Sequence, residues 1–204
     1  MITFKTIRWK NFLSTGNAWT EIQLDKSPST LIVGDNGSGK STMLDALTFA
    51  LFNKPFRNVS KPQLVNSING KKLMVEIDFS IGKREYLIRR GELPKVFEIE
   101  VNGIKLDKDA NIRDFQKYLE ENILKLNYKS FTQIVMLGSA SFTPFMQLHL
   151  GARREIIEDI LDITIFTSMN KVLKDKITIL ENQIKTLEGE IQIAKQKATL
   201  QDSY

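Results

Sequence analysis

Apolar and polar residues alternate with a period of two over 2–9 and again over 19–24, the pattern of strands that bury one face. The polar stretch 11–17 between them reads as their connection. Residues 30–33, Thr-Leu-Ile-Val, form a short β-branched apolar run that predicts a buried strand, and residues 43–52 predict a core helix. Pro55, Pro62 and the pair Asn69-Gly70 mark an irregular connection. Alternation then returns at 73–81, 85–90, 96–101 and 104–106, punctuated by Gly82, Pro94 and the hairpin dipeptide Asn102-Gly103. That is an antiparallel meander. Ile112, Phe115, Leu119, Ile123 and Leu126 recur at helical spacing, so 109–125 predicts an amphipathic helix. Residues 131–137 predict another buried strand, and the chain turns helical from Arg153.

From Leu173 the spacing becomes strictly four-three: Leu173, Ile177, Leu180, Ile184, Leu187, Ile191, Ala194, Ala198. Isoleucine and leucine alternate along this stripe while Lys, Glu and Gln fill the outer positions, which is a coiled-coil seam. Such a stripe needs a partner helix, and the 204 residues hold no second one. The expected division is 1–163 as a globular lobe and 164–204 as the start of an arm.

Composition narrows this picture. A chain with 42% apolar residues can bury a core, and no apolar run approaches the ~18 residues that span a bilayer. There is no secretory hydrophobic segment at the start. Cysteine is absent and His149 is the only histidine, so neither disulfides nor a thiolate or histidine-cluster metal site is expected. A cytoplasmic setting fits these features. The net charge of +5 permits contact with nucleic acid without requiring it. The paired basic residues Lys71-Lys72, Arg89-Arg90 and Arg153-Arg154 read as solvated surface, as do the arm lysines.

The chemistry lies at 34–42, GDNGSGKST, which matches G-x-x-x-x-G-K-[ST] at every fixed position. A loop that wraps a polyphosphate must aim backbone N–H groups at anionic oxygens, so glycines replace side chains where the backbone turns tightly. Gly34, Asp35, Asn36, Gly37, Ser38, Gly39, Lys40, Ser41 and Thr42 are therefore the nucleotide-binding candidates. Lys40 is aimed at the β- and γ-phosphates, Ser41 at Mg²⁺, and the following helix presents its positive end. Asn53-Lys54-Pro55-Phe56 lacks the aspartate of a guanine-reading box, which argues against a GTPase. Residues 73–78 end in Glu-Ile-Asp but alternate like a meander strand, not like a buried Mg²⁺-binding strand.

Lys-Asn-Phe-Leu-Ser at 10–14, the run GDNGSGKSTMLDALTFALF at 34–52, Ser-Phe-Thr-Gln-Ile-Val-Met-Leu at 130–137 and Phe-Thr-Pro-Phe-Met at 142–146 together resemble the SMC-like DNA-repair ATPases of the SbcC type. Within that family the chain most resembles the ATPase subunits of tailed-phage recombination endonuclease complexes. The resemblance implies an α/β P-loop NTPase fold: the N-terminal half of an ABC-type head with an antiparallel β-meander, followed by a coiled-coil helix. It further implies ATP and Mg²⁺ as cofactors. The implied partners are the C-terminal half of the head, a second head across ATP, a metal-dependent nuclease subunit and DNA, with no membrane. A phage-encoded member would work in the host cytoplasm.

Two positions depart from the family pattern. Ser139 stands where many relatives carry a Mg²⁺-contacting glutamine, with Gln133 six residues earlier on the expected strand, and Leu13 stands where relatives often carry arginine. The resemblance makes Ser139 the second metal candidate beside Ser41. Family heads also need an L-S-G-G signature, a Mg²⁺-binding aspartate and a catalytic glutamate, none of which occurs in these residues. Beyond Lys40, no catalytic residue is expected here. Three functions stay open: an ATPase subunit of a double-strand-break repair nuclease complex, a non-hydrolysing ATP-dependent assembly module completed by a separate chain, and a small phosphotransferase.

Overall fold

The computed structural model describes residues 2–106, 112–136, 143–161 and 163–201. The chain divides into two compact units, Met1–Ile156 and Ile157–Tyr204. In the first, β1 (Ile2–Lys10), β2 (Thr20–Gln23), β3 (Leu73–Ile81), β4 (Arg84–Glu92), β5 (Val96–Val101) and β6 (Ile104–Lys105) form one sheet in the order β2-β1-β3-β4-β5-β6. Every neighbouring pair is antiparallel. The β5–β6 turn places Asn102 and Gly103 at φ 51° and 80°, the left-handed pair that a tight hairpin requires.

One sheet face is a continuous apolar surface because alternate residues share it: Ile7 and Trp9, Val75, Ile77 and Phe79, Ile88, Phe97 and Ile99 are all buried. Helix α1 (Thr42–Phe52) lies on this face over β1, β3 and β4. Its residues Ala46, Phe49 and Ala50 join the core cluster. The outward face of β3 carries Glu76, which ion-pairs with Arg8 at 2.5 Å and Arg89 at 3.3 Å and so ties three strands together. Glu76 is thus structural.

The far end of α1 has no basic residue of its own. Arg90 of β4, expected at the solvated surface but buried, supplies one, donating from Nε to the Ala50 carbonyl (2.8 Å) and from Nη2 to Gln116 Oε1 (2.6 Å). Gln116, on α3 (Ile112–Tyr118), donates in turn to the Leu51 carbonyl (3.0 Å). Burial pushes the Arg90 guanidinium down to about 9, and Glu120 opposes that shift. Asn53 closes the helix in the left-handed conformation. The phosphate-loop helix is therefore anchored at its far end.

The helix expected over 109–125 is observed from Ile112, though its last six described residues, Leu119–Leu124, are wound as a π-helix. Two expected strands are absent from the described residues. Residues 30–33 form no strand, and Leu31 is 87% and Val33 81% exposed. An apolar strand buried on both faces needs hydrogen-bonded neighbours on each side, and no described strand pairs with this run. Residues 131–136 are not a strand either, because α4 (Tyr128–Ile134) runs through them and places Gln133 on a helix. Asn127 Oδ1 accepts from the Ser130 N–H at 2.9 Å, an N-cap that starts the helix ahead of the apolar run. Between Tyr118 and α4 the chain gains Leu119, Ile123 and Leu124 for the core. Before β3 comes the short α2 (Lys61–Leu64). Helix α5 (Leu150–Ile160) starts three residues before Arg153, with Ala152 N–H donating to His149 Nδ1 at 3.2 Å.

In the second unit, α6 (Thr164–Gln201) is a single helix of 38 residues, about 57 Å long at 1.5 Å per residue. Its seam residues Leu173, Ile177, Leu180, Ile184, Leu187 and Ile191 are between 45% and 57% exposed. No helix of the described residues is long and apolar enough to cross a membrane.

Candidate functional site

The loop at 34–41 joins the exposed run 30–33 to α1. Gly37 and Gly39 sit at φ +88° and +94°, where side chains are strained, and a Cβ on Gly34 would lie 2.7 Å from Ser38 Oγ. The backbone itself requires glycine at 37 and 39, whereas at 34 a Cβ would only displace the Ser38 hydroxyl. Ser38 N–H closes a turn on the Asp35 carbonyl at 3.2 Å. Lys40 folds back over the loop, its ammonium donating to the carbonyls of Gly34 (2.5 Å) and Asp35 (2.7 Å). The loop thus carries its cation at its own mouth.

Helix α1 begins at Thr42, one residue later than Ser41, which stands at the N-cap and makes no side-chain capping bond. The Thr42 N–H is already used by the Gly39 carbonyl at 2.9 Å. Asn36, Gly37, Gly39, Lys40, Ser41 and Thr42 line a cavity of about 290 Å³. Gly34, Asp35 and Ser38 shape the loop behind it. The rest of its lining comes from two other segments: Leu13 and Ser14 after β1, and Arg57 from the connection after α1.

The sequence reading passes over Arg57 and its partner. Asp45, in the first turn of α1, is fully buried, and its Oδ2 accepts from Arg57 Nε at 2.7 Å and Nη2 at 2.5 Å. Its Oδ1 accepts from the Arg57 backbone N–H at 2.9 Å. A carboxylate in the first turn is favoured by the helix dipole, and here it also orients a planar guanidinium in two directions at once. The same connection is pinned by Tyr128, whose hydroxyl donates to the Pro55 carbonyl at 2.8 Å. Tyr128 is held above the usual phenol range, chiefly by burial and secondarily by Asp45. The available signal was a lone acid within an otherwise apolar helix, followed by an arginine twelve residues on.

The donor set fits a nucleotide triphosphate. Loop residues, Lys40 and Arg57 line one cavity, and Ser41, which makes no side-chain capping bond, is the hydroxyl there that would hold a magnesium ion. No cluster of three or more metal-ligating His, Cys, Asp or Glu side chains exists among the described residues. Ser139 lies outside the described residues. No carboxylate of the described residues lines the cavity.

A glycine loop opening a helix, set on an antiparallel sheet, with a long helical arm in a separate unit, defines a P-loop NTPase head of the SMC and Rad50 type. The chain belongs to the AAA_23 family, described as an AAA domain, whose model matches residues 6–201. It is 46% identical over 183 residues to exonuclease subunit 2 of Escherichia phage RB69, covering 90% of this chain and 32% of that protein. It is 49% identical over 168 residues to exonuclease subunit 2 of Enterobacteria phage T4, covering 82% and 30%. A DNA double-strand break repair Rad50 ATPase of Thermoplasma acidophilum is 31% identical over 186 residues, covering 89% and 20%. The chain thus spans about a third or less of the curated relatives it matches. Among solved structures, one from work on ATP-driven dimerization and DNA-stimulated activation of SMC ATPases aligns with a TM-score of 0.54 and 26% identity, covering 78% of this chain and 99% of that one. An Smc head domain with a coiled coil and joint from Pyrococcus yayanosii shares the fold, with a TM-score of 0.52 and 20% identity, covering 97% and 39%.

Proposed function

We propose that this chain binds Mg-ATP and forms the N-terminal half of an ATPase head in a nuclease complex for DNA double-strand-break repair and recombination. Residues 1–163 are the nucleotide lobe, and 164–204 begin the arm. The observation that carries the reading is the cavity itself, where Lys40, Ser41 and Arg57 converge on a phosphate loop. In this reading Lys40 and the loop N–H groups bind the β- and γ-phosphates, and Arg57, oriented by Asp45, adds a second fixed cation. Ser41 would hold a Mg²⁺ ion from the protein side, and that ion would neutralise phosphate charge. Relatives that are exonuclease subunits and repair ATPases support the assignment of the complex. Its partners are then a C-terminal head segment, a second head across ATP, a metal-dependent nuclease subunit and DNA, in the cytoplasm of the cell or of a phage host.

Hydrolysis needs a general base that activates water, and the cavity offers none among the described residues. That favours a second reading for these 204 residues taken alone: an ATP-dependent assembly module without turnover. Both readings are tested by adding a polypeptide that carries the signature, the Mg²⁺-binding aspartate and the catalytic glutamate of a family head. Turnover that appears only in the mixture, rises with DNA and is lost with Lys40→Ala is the expected result. A mixture that binds ATP but never hydrolyses it contradicts the ATPase assignment, and a chain that binds no ATP contradicts both.

A further inference from the structure

We infer that Asn66 is a positioning residue for the nucleotide site: it fixes the Leu13–Ser14 wall, which holds the nucleoside and not the phosphates. The inference rests on the nucleotide-binding reading above. Leu13 lies in the left-handed region at φ 52°, a conformation that a branched side chain keeps only where its surroundings hold it. What holds it is the segment after α2. The Leu13 N–H donates to the Leu64 carbonyl at 2.7 Å, and the Leu13 carbonyl accepts from Asn66 Nδ2 at 2.9 Å. Both backbone groups of the wall residue are thus tied to a segment more than fifty residues away in sequence.

Asn66 is 5% exposed, and every polar group it has is engaged. Its N–H donates to the Asn11 carbonyl (2.9 Å), its carbonyl accepts from the Gly70 N–H (2.8 Å), and its Oδ1 accepts from the N–H groups of Ile68 (3.0 Å) and Asn69 (2.9 Å). Asn69 Nδ2 returns to Asn11 Oδ1 at 2.7 Å. The position needs a donor and an acceptor on one short side chain, which asparagine has and aspartate lacks. None of these bonds involves the phosphate loop. In the proposed site loop N–H groups and Lys40 take the anionic oxygens, whereas the apolar side chain of Leu13, which shares the cavity's lining, has nothing to give a phosphate and suits the base or sugar.

The test is a titration of the full chain with ATP and, separately, with inorganic tripolyphosphate, which presents the phosphates without a nucleoside. Wild type should prefer ATP. Asn66→Asp should lose roughly tenfold or more in ATP affinity, as expected for removing a buried amide donor and setting a carboxylate against a carbonyl, while its tripolyphosphate affinity stays unchanged. Asn66→Ser, smaller and uncharged, carries the same expectation should the aspartate variant not fold. Equal losses for both ligands, or an unchanged preference for ATP, overturn the positioning role. A wild-type chain that binds both ligands equally overturns the nucleoside wall, and one that binds neither overturns the nucleotide-binding reading on which the inference rests.

Discussion

Lys40 and the Asp45–Arg57 pair divide the work of the cavity. The ammonium of Lys40 already folds over the loop carbonyls, so Lys40→Ala removes the loop's own cation and, on the proposed reading, should abolish measurable ATP binding in a titration with labelled nucleotide. Wild-type affinity in that variant would contradict the phosphate-loop assignment. Asp45→Asn keeps the shape of the side chain but withdraws the charge that orients Arg57. ATP affinity should fall about tenfold, the scale of one charge-assisted hydrogen bond. Arg57→Ala should produce a similar fall, and the double variant little more than either single change. Isothermal calorimetry on the three variants measures this, and fully additive losses would show that the two side chains act separately.

Helix α1 is the element on which the loop depends, and its anchorage is a prediction of its own. Arg90→Ala leaves the Ala50 carbonyl and Gln116 without their partner inside the core. It should lower stability by about 2–4 kcal/mol, the cost of unsatisfied buried polar groups together with lost packing, as read from urea denaturation. A change under about 0.5 kcal/mol, the range of an ordinary surface substitution, would mean that the anchor is dispensable. The sequence made the strands of the meander, α1 and its loop legible because their information is local: alternation, a glycine pattern and a hairpin dipeptide. Residues 30–33 misled because a buried strand is only as real as its neighbours, and apolar character cannot say where those neighbours come from. Phe131 misled for the opposite reason, since the Asn127 cap upstream decides for helix before the apolar run begins. Asn66 was illegible because its partner Leu13 is more than fifty residues away, and the Asp45–Arg57 signal was too weak because a lone acid and an arginine twelve residues on do not by themselves reveal that they meet.

For the whole molecule, each unit carries an exposed apolar feature: the run Leu31 to Val33 in the first and the seam of α6 in the second. Both are patterned for burial and neither is covered among the described residues. If the seam awaits a partner, Leu180→Asp combined with Leu187→Asp should remove self-association seen by light scattering and leave the fold of the Met1–Ile156 unit intact, because a charge within a coiled-coil layer costs several kcal/mol. The same mass for wild type and the double variant would count against an exposed seam.

The central proposal is that these residues bind Mg-ATP in a cavity lined by no carboxylate of the described residues that could activate water, and one paired measurement reaches it most directly. Equilibrium Mg-ATP binding and steady-state phosphate release are measured on a single preparation of the chain, with Lys40→Ala as the control for contaminating hydrolases. Saturable binding lost in the control, with phosphate release at background in both, is what this account predicts. Steady hydrolysis by the chain alone, abolished by Lys40→Ala, would contradict it by showing that the chain is a self-sufficient enzyme.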